Sequence, residues 1–164
     1  MSGKVEHELE LDVPASDAWD LFGTIRIGQL VEKEMPSLFQ KVELVEGDGG
    51  VGTILKLTFV PGTPGPAFYK EKFTKVDDEN RIKETEVVEG GYLELGFALW
   101  RVRFEVIEKG EDSSIIKSTV EYEVKEDALA DAAPLASNAI QSLANLSEIA
   151  KAHLNKNKLT NQPK

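Results

Sequence analysis

The sequence contains no cysteine and only 2 histidines among 164 residues. A disulfide-stapled scaffold is therefore excluded, as is any site built on thiolates, whether for a metal or for nucleophilic attack. Cations are in the minority, 19 Lys and Arg against 29 Asp and Glu, for a formal charge of −10. A surface of that sign repels phosphate backbones, which argues against nucleic acid as a partner. No stretch approaches the roughly 20 apolar residues that a membrane-spanning helix needs. The first residues, Met1 to Glu6, lack the apolar core of a signal peptide. What the chain does have is a hydrophobic content of 41%, normal for a globular protein, and a length sufficient for one substantial core. The expectation is a soluble, cytoplasmic protein with a single domain over 1–155, a polar tail over 156–164, and small molecules as partners rather than nucleic acid or membrane.

Val5, His7, Leu9, Leu11 and Val13 alternate with Glu6, Glu8, Glu10 and Asp12, the period of a half-buried strand. Pro14 ends it. Ser16 stands where a helix N-cap belongs, with Asp17 and Asp20 complementing the first turn. Trp19, Leu21 and Phe22 give an apolar side, and Gly23 and Gly28 divide the segment up to about Glu34 into two short helices. A meander follows: Gln40 to Glu46, Thr53 to Val60, Phe68 to Val76, Arg81 to Glu89, a long stretch from Tyr92 to Glu108 read as two strands or one bent strand, and Ser114 to Val124. Ala136, Ala139, Ile140, Leu143, Leu146, Ala150 and Leu154 then recur at spacings of three and four. They predict one long helix between Ala128 and Leu154, which Pro134 either opens or kinks. Strands closed by a helix indicate an α+β domain. A long sheet over a helix with alanine on its apolar side can enclose a cavity for small apolar ligands.

Strand parity locates the polar groups. Tyr69, Glu71 and Phe73 share the inward parity of their strand, against Lys70, Lys72 and Thr74. Lys83 shares the parity of Thr85 and Val87, against Ile82, Glu84 and Glu86. In the long strand Ala98, Trp100, Val102, Phe104 and Val106 oppose Arg101, Arg103 and Glu105. In the last strand Ile116, Ser118, Val120, Tyr122 and Val124 face inward. A carboxylate and an amine on strands joined by a short turn can meet in one cavity, and such a pair suits acid–base work. The alternatives are a buried ion pair with a structural role, or positions at the sheet rim from which both groups reach water. His7 has inward parity and reads as a satisfied core histidine. His153 lies near solvent on the last helix. Neither belongs to a recognisable ligand or triad pattern, so no metal and no cofactor is expected. Gly47-Asp48-Gly49-Gly50-Val51-Gly52 resembles a phosphate loop, but it joins two strands and lacks the following Gly-Lys-Ser/Thr, so a plain turn is the expectation.

The element order, together with that glycine-rich turn, resembles the Bet v 1-like fold of plant pathogenesis-related class 10 proteins, whose loop reads GxGGxG. The stretches EGDGGVGTILKLTFVPG, YKEKF, EGGYLELGF and IKSTVEYEV are similar to the norcoclaurine synthase branch, which includes norbelladine synthases. The resemblance spans Val5 to about Leu154. It implies a helix-grip fold: a curved seven-stranded antiparallel sheet around a long C-terminal helix, with two short helices closing an internal apolar cavity. It also implies condensation of an arylethylamine of the dopamine type with an aldehyde, through an imine and a Pictet–Spengler ring closure, in plant alkaloid biosynthesis.

Carried over by motif, the resemblance makes Tyr69, Glu71 and Lys83 the catalytic residues, and these are the polar residues that parity turns inward. Phe73, Trp100, Val102, Phe104 and Leu143 are the expected substrate-binding wall. The family aspartate that follows the EGGYLELG segment falls at about Val102, where no carboxylate stands. Norbelladine synthases carry a tyrosine at the position of Phe68. A monomer or weak homodimer is expected. Two other functions compete: a binding or storage protein for hydrophobic plant metabolites, and a ribonuclease. The acidic charge and the lack of a histidine pair speak against the ribonuclease.

Overall fold

The computed structural model describes residues 2–125 and 132–160. Its elements are β1 (Ser2–Leu11), α1 (Ala15–Phe22), α2 (Arg26–Glu34), β2 (Phe39–Glu46), β3 (Ile54–Phe59), β4 (Phe68–Asp77), β5 (Ile82–Gly90), a 3₁₀ turn (Gly91–Leu95), β6 (Phe97–Gly110), β7 (Ser113–Val124) and α3 (Ala132–Thr160). The strands form one seven-stranded antiparallel sheet in the order β1-β7-β6-β5-β4-β3-β2. This is the α+β helix-grip arrangement expected from the resemblance. Consecutive strands β1 and β2 lie at opposite edges, so α1 and α2 carry the chain from one edge of the sheet to the other. The helix α3 packs on β1 and β7 and touches α2.

Alternation along the strands sorts the residues as hydrophobicity requires. In β5 Lys83, Thr85 and Val87 are buried and Glu84 and Glu86 lie toward solvent. On the outer face Arg103 bridges Glu84 at 2.8 Å and Glu121 at 2.9 Å, and Arg101 pairs with Glu86 at 3.3 Å. The free edge at β2 is partly covered by α2, where Glu32 accepts the Val42 N–H at 2.6 Å. Trp19 ties α1 to the β4–β5 turn by donating its indole N–H to Asp78 at 2.8 Å. Gly23 ends α1 beneath that indole: a Cβ there would sit 2.5 Å from the ring.

Several expectations change. Pro14, not Ser16, occupies the N-cap of α1, its carbonyl accepting the N–H groups of Asp17 and Ala18. The stretch from Tyr92 opens as a 3₁₀ turn that a left-handed Gly96 terminates, so a single strand begins only at Phe97. Ala98 is exposed rather than inward, because the β6–β7 register slips between Phe97 and Leu99 and displaces it. Pro134 follows two residues after Ala132, where the described part of α3 begins, and the expectation that it opens or kinks the helix turns on residues 126–131, which lie outside the described residues. The helix continues past Asn155 to Thr160, into the span expected to be a tail. The expected helix residues 128–131 and the last tail residues 161–164 lie outside the described residues.

The core is divided. One cluster gathers Leu11, Trp19, Phe22, Phe73, Phe104 and Ile116 beside α1; the other gathers Phe97, Trp100, Val120, Tyr122 and Ala136 beside the start of α3. Tyr69, Val102 and Leu143 are partly buried and pack against both clusters. The space between the clusters is the cavity.

Candidate active site

The cavity measures about 240 Å³ and is bounded by the inner face of the sheet, α2 and α3. Its wall is mainly apolar, with Glu71, Lys83, Thr85, Tyr69, Tyr92, Asn138 and Ser142 as its polar members. Two backbone irregularities aim those groups. A register shift between Phe73 and Lys75 moves the inward parity of β4 from Phe73 to Val76, which pairs with Lys83. A second shift across Glu71 leaves Val88 of β5 half exposed and brings Tyr69 opposite Gly90. Gly91 then turns the chain at φ +52°, so close to Tyr69 that a Cβ would lie 2.7 Å from the tyrosine Cβ.

Lys83 is 1% exposed. Its Nζ donates to the carbonyl oxygen of Thr24 at 3.0 Å and sits 4.3 Å from the centre of the Phe73 ring. Burial pulls its pKa down to about 8, and the charge of Glu71 opposes that fall. Glu71 comes from the middle of β4, between Leu55 and Val87. Its oxygen Oε2 accepts the Thr85 hydroxyl at 3.4 Å. Burial raises its pKa, while Lys83 and the Thr85 hydroxyl pull it back. Among the described residues the two form no ion pair within 4.0 Å. They act on each other across the cavity and leave a carboxylate oxygen and ammonium hydrogens for a guest. Tyr69 packs against Phe39 and Phe59, and burial, then the charge of Glu71, push its hydroxyl well above the ordinary phenol range. It remains a neutral hydrogen-bond donor.

Of the sequence-derived wall, Trp100, Val102, Phe104 and Leu143 line the cavity. Phe73 does not: it is 0% exposed and lies beneath the Lys83 ammonium, so its ring supports the amine instead of facing a substrate. Val102 sits between Thr85 and Val120, in the wall that Glu71 also lines. His7 is half-buried opposite Ser118, outside the cavity lining, and its Nδ1 is buried with no hydrogen-bond partner among the described residues, contrary to the expected satisfied histidine. His153 shares a 3.3 Å contact with Asn157. In the glycine-rich turn Thr53 Oγ1 accepts the Gly49 N–H at 2.8 Å and Asp48 accepts that of Gly50 at 3.2 Å, so these donors serve the turn itself.

Sequence reasoning missed Tyr92, whose ring stacks on Trp100 with centroids 3.6 Å apart and planes 6° from parallel. It also missed Asn138 and Ser142. A signal existed: Leu135, Ala139, Ser142 and Leu146 follow the period of one helix face, and Asn138 lies one turn before Ser142. The donor set suits protons rather than metals, since one carboxylate beside an ammonium offers a divalent cation little.

Residues 1–157 match the pathogenesis-related protein Bet v 1 family. The chain is 50% identical over 132 residues to norbelladine synthase from Narcissus pseudonarcissus, covering 80% of this chain and 81% of that one. It is 43% identical over 131 residues to S-norcoclaurine synthase from Thalictrum flavum subsp. glaucum, covering 80% of this chain and 61% of that protein. The structure of norcoclaurine synthase from Thalictrum flavum in complex with dopamine and hydroxybenzaldehyde superposes with a TM-score of 0.82 at 37% identity, over 100% of this chain and 90% of that one. A point mutant of the Thalictrum enzyme with a transition-state analogue superposes with a TM-score of 0.86, also at 37% identity, over 96% of this chain and 97% of that one.

Proposed function

The chain belongs to the pathogenesis-related Bet v 1 family, and from that premise we propose that it condenses an arylethylamine of the dopamine type with an aldehyde by acid–base catalysis in plant alkaloid biosynthesis. The observation that carries this reading is the pairing of Glu71 and Lys83 in one apolar cavity without a direct ion pair. Glu71, its proton affinity raised by burial, takes the proton of the arylethylammonium. The freed amine attacks the aldehyde carbon and forms a carbinolamine. Lys83, an ammonium that burial makes more acidic, protonates the carbinolamine hydroxyl, which leaves as water. The iminium so formed either loses its proton as an open imine or closes on the aryl ring in a Pictet–Spengler step. Tyr69 donates a hydrogen bond to the carbonyl or carbinolamine oxygen. Trp100, Phe104, Val102 and Leu143 hold the apolar parts of the two guests and exclude water.

A cytoplasmic location and a monomeric or weakly dimeric state go with this proposal. The test is turnover. Incubation with dopamine and a panel of aldehydes should give imine or ring-closed product above the uncatalysed rate, with enantiomeric excess wherever a ring closes. Saturable binding of the same compounds with no rate above background would instead establish a binding or storage role.

A further inference from the structure

Thr24 lies outside the cavity lining, in the short link between α1 and α2. Its main chain nevertheless reaches the centre of the site, because its carbonyl oxygen accepts the Lys83 Nζ at 3.0 Å across 59 residues of sequence. An ammonium that is 1% exposed cannot remain charged without acceptors. Among the described residues the Thr24 carbonyl is the hydrogen-bond acceptor Lys83 has, with the face of Phe73 below it at 4.3 Å. The direction of that carbonyl therefore determines where the remaining N–H groups point.

The Thr24 side chain fixes the direction. Its hydroxyl donates to the Asp20 carbonyl at 2.7 Å, with the Leu21 carbonyl at 3.3 Å, and so closes the end of α1. The same oxygen accepts the Arg26 N–H at 3.2 Å, at the start of α2. One hydroxyl thus clamps both helix ends and holds the intervening peptide with its carbonyl directed at Lys83.

We propose that Thr24 is a positioning residue for the condensation, its hydroxyl locking the α1–α2 corner so that the corner carbonyl holds the Lys83 ammonium with its free N–H groups aimed at the oxygen of the reacting carbonyl. This rests on the acid–base role given to Lys83 above. A hydrogen bond that is made to the ammonium favours the protonated form. Loosening it therefore lets Lys83 lose its proton at lower pH. The charged group that acts on Lys83 from a neighbouring element is Glu71 on β4. Among the described residues the other titratable groups in the lining are Tyr69 and Tyr92, and α2, β6, β7 and α3 contribute none.

The test uses the full chain and the variants Thr24→Val, which keeps the shape and removes the hydroxyl, Thr24→Ala, and Thr24→Ser, which keeps the hydroxyl. Lys83 is titrated directly through the side-chain carbon next to its amine in isotope-labelled protein, its signal assigned by its loss in Lys83→Met. In Thr24→Val and Thr24→Ala the Lys83 midpoint should fall by about one pH unit, a tenfold change in proton affinity. The kcat for condensation should fall by about tenfold while KM changes by less than about threefold, the pattern of a group that acts in the transition state. Thr24→Ser should retain both values. An unmoved midpoint in the folded valine and alanine variants would overturn the proposal, as would a serine variant as impaired as they are. The titration needs no substrate. If the proposed condensation activity were absent, the Lys83 midpoint would still decide whether the clamp exists.

Discussion

Thr85 donates its hydroxyl to Glu71 across the β4–β5 ladder at 3.4 Å, while Lys83, on the same face of β5, turns away from that carboxylate to the Thr24 carbonyl. The base of the site is therefore held by a neutral group and the acid by a backbone dipole. Had the two charges met, each would have fixed the other in its ionised form and opposed the proton transfers asked of it.

This arrangement sets the pH dependence. Condensation needs Glu71 ionised and Lys83 protonated. Activity should rise with pH along a limb displaced above the ordinary carboxylate range, because burial raises the Glu71 pKa. It should fall as pH passes about 8, where Lys83 gives up its proton. Rate profiles of kcat/KM across pH 4 to about 10 test this. Glu71→Gln should lose the acidic limb, and Lys83→Met the alkaline one, each with a rate reduced by about a hundredfold or more. An alkaline limb that persists in Lys83→Met would assign it to another group.

Lys83 should also be a stability cost that function retains. Its pKa of about 8 in the fold lies below the roughly 10.4 of an unfolded lysine, so between these values the unfolded chain binds the extra proton. Stability then rises with pH across that window. Below it the full penalty of the buried ammonium applies. Lys83→Met, similar in length and apolar, should stabilise the fold by about 1–3 kcal/mol at neutral pH while slowing turnover by about a hundredfold or more. Urea unfolding of both proteins should show that advantage shrinking as pH rises from about 8 toward 10. An advantage that does not change with pH would mean that burial of charge is not its source.

Gly91 offers a backbone test of the phenol. Its φ of +52° disfavours any side chain, and a Cβ would press into Tyr69 at 2.7 Å. Gly91→Ala should cost about 1–3 kcal/mol and move Tyr69 and the stacked Tyr92–Trp100 pair. Thermal unfolding measures the first effect. Turnover should fall more than the lost stability explains at a temperature where the variant is fully folded. Unchanged turnover there would remove Tyr69 from the chemistry.

Much of this site was legible in the sequence because alternation is a strong signal where one sheet face is buried. Parity alone turned Tyr69, Glu71 and Lys83 inward, and all three line the cavity. Parity reports a face but not a depth, and so Phe73 was expected in the wall when it lies beneath Lys83. Bulges interrupt the period without a mark of their own, which is why Ala98 emerges at the surface. Tyr92 was hidden by its glycines: the 3₁₀ turn needs Gly90, Gly91 and Gly96 at positive φ, and no apolar period announces such a turn. The Lys83–Thr24 contact joins residues 59 apart through a backbone carbonyl, a group that every residue carries and no sequence pattern distinguishes.

Val102 is where this chain departs most clearly from the pattern it resembles, and it supports the final prediction. Its side chain lines the cavity between Thr85 and Val120, so a carboxylate placed there would face the same space as Glu71. Two carboxylates sharing an apolar space do not both ionise readily, so the new acid should titrate above the usual range and raise the proton affinity of Glu71 further. A second base beside the guest could receive the proton that the aryl ring loses when it closes, which valine cannot. Val102→Asp should therefore increase the share of ring-closed product over open imine and favour 4-hydroxyphenylacetaldehyde among the aldehydes. It should lose about 1–3 kcal/mol of stability from burying a polar group. Product ratios, measured at matched conversion on protein shown to be folded, separate this outcome from a simple loss of rate. If wild type already yields ring-closed product from 4-hydroxyphenylacetaldehyde fastest, or if the ratio is the same in both proteins, position 102 does not govern ring closure.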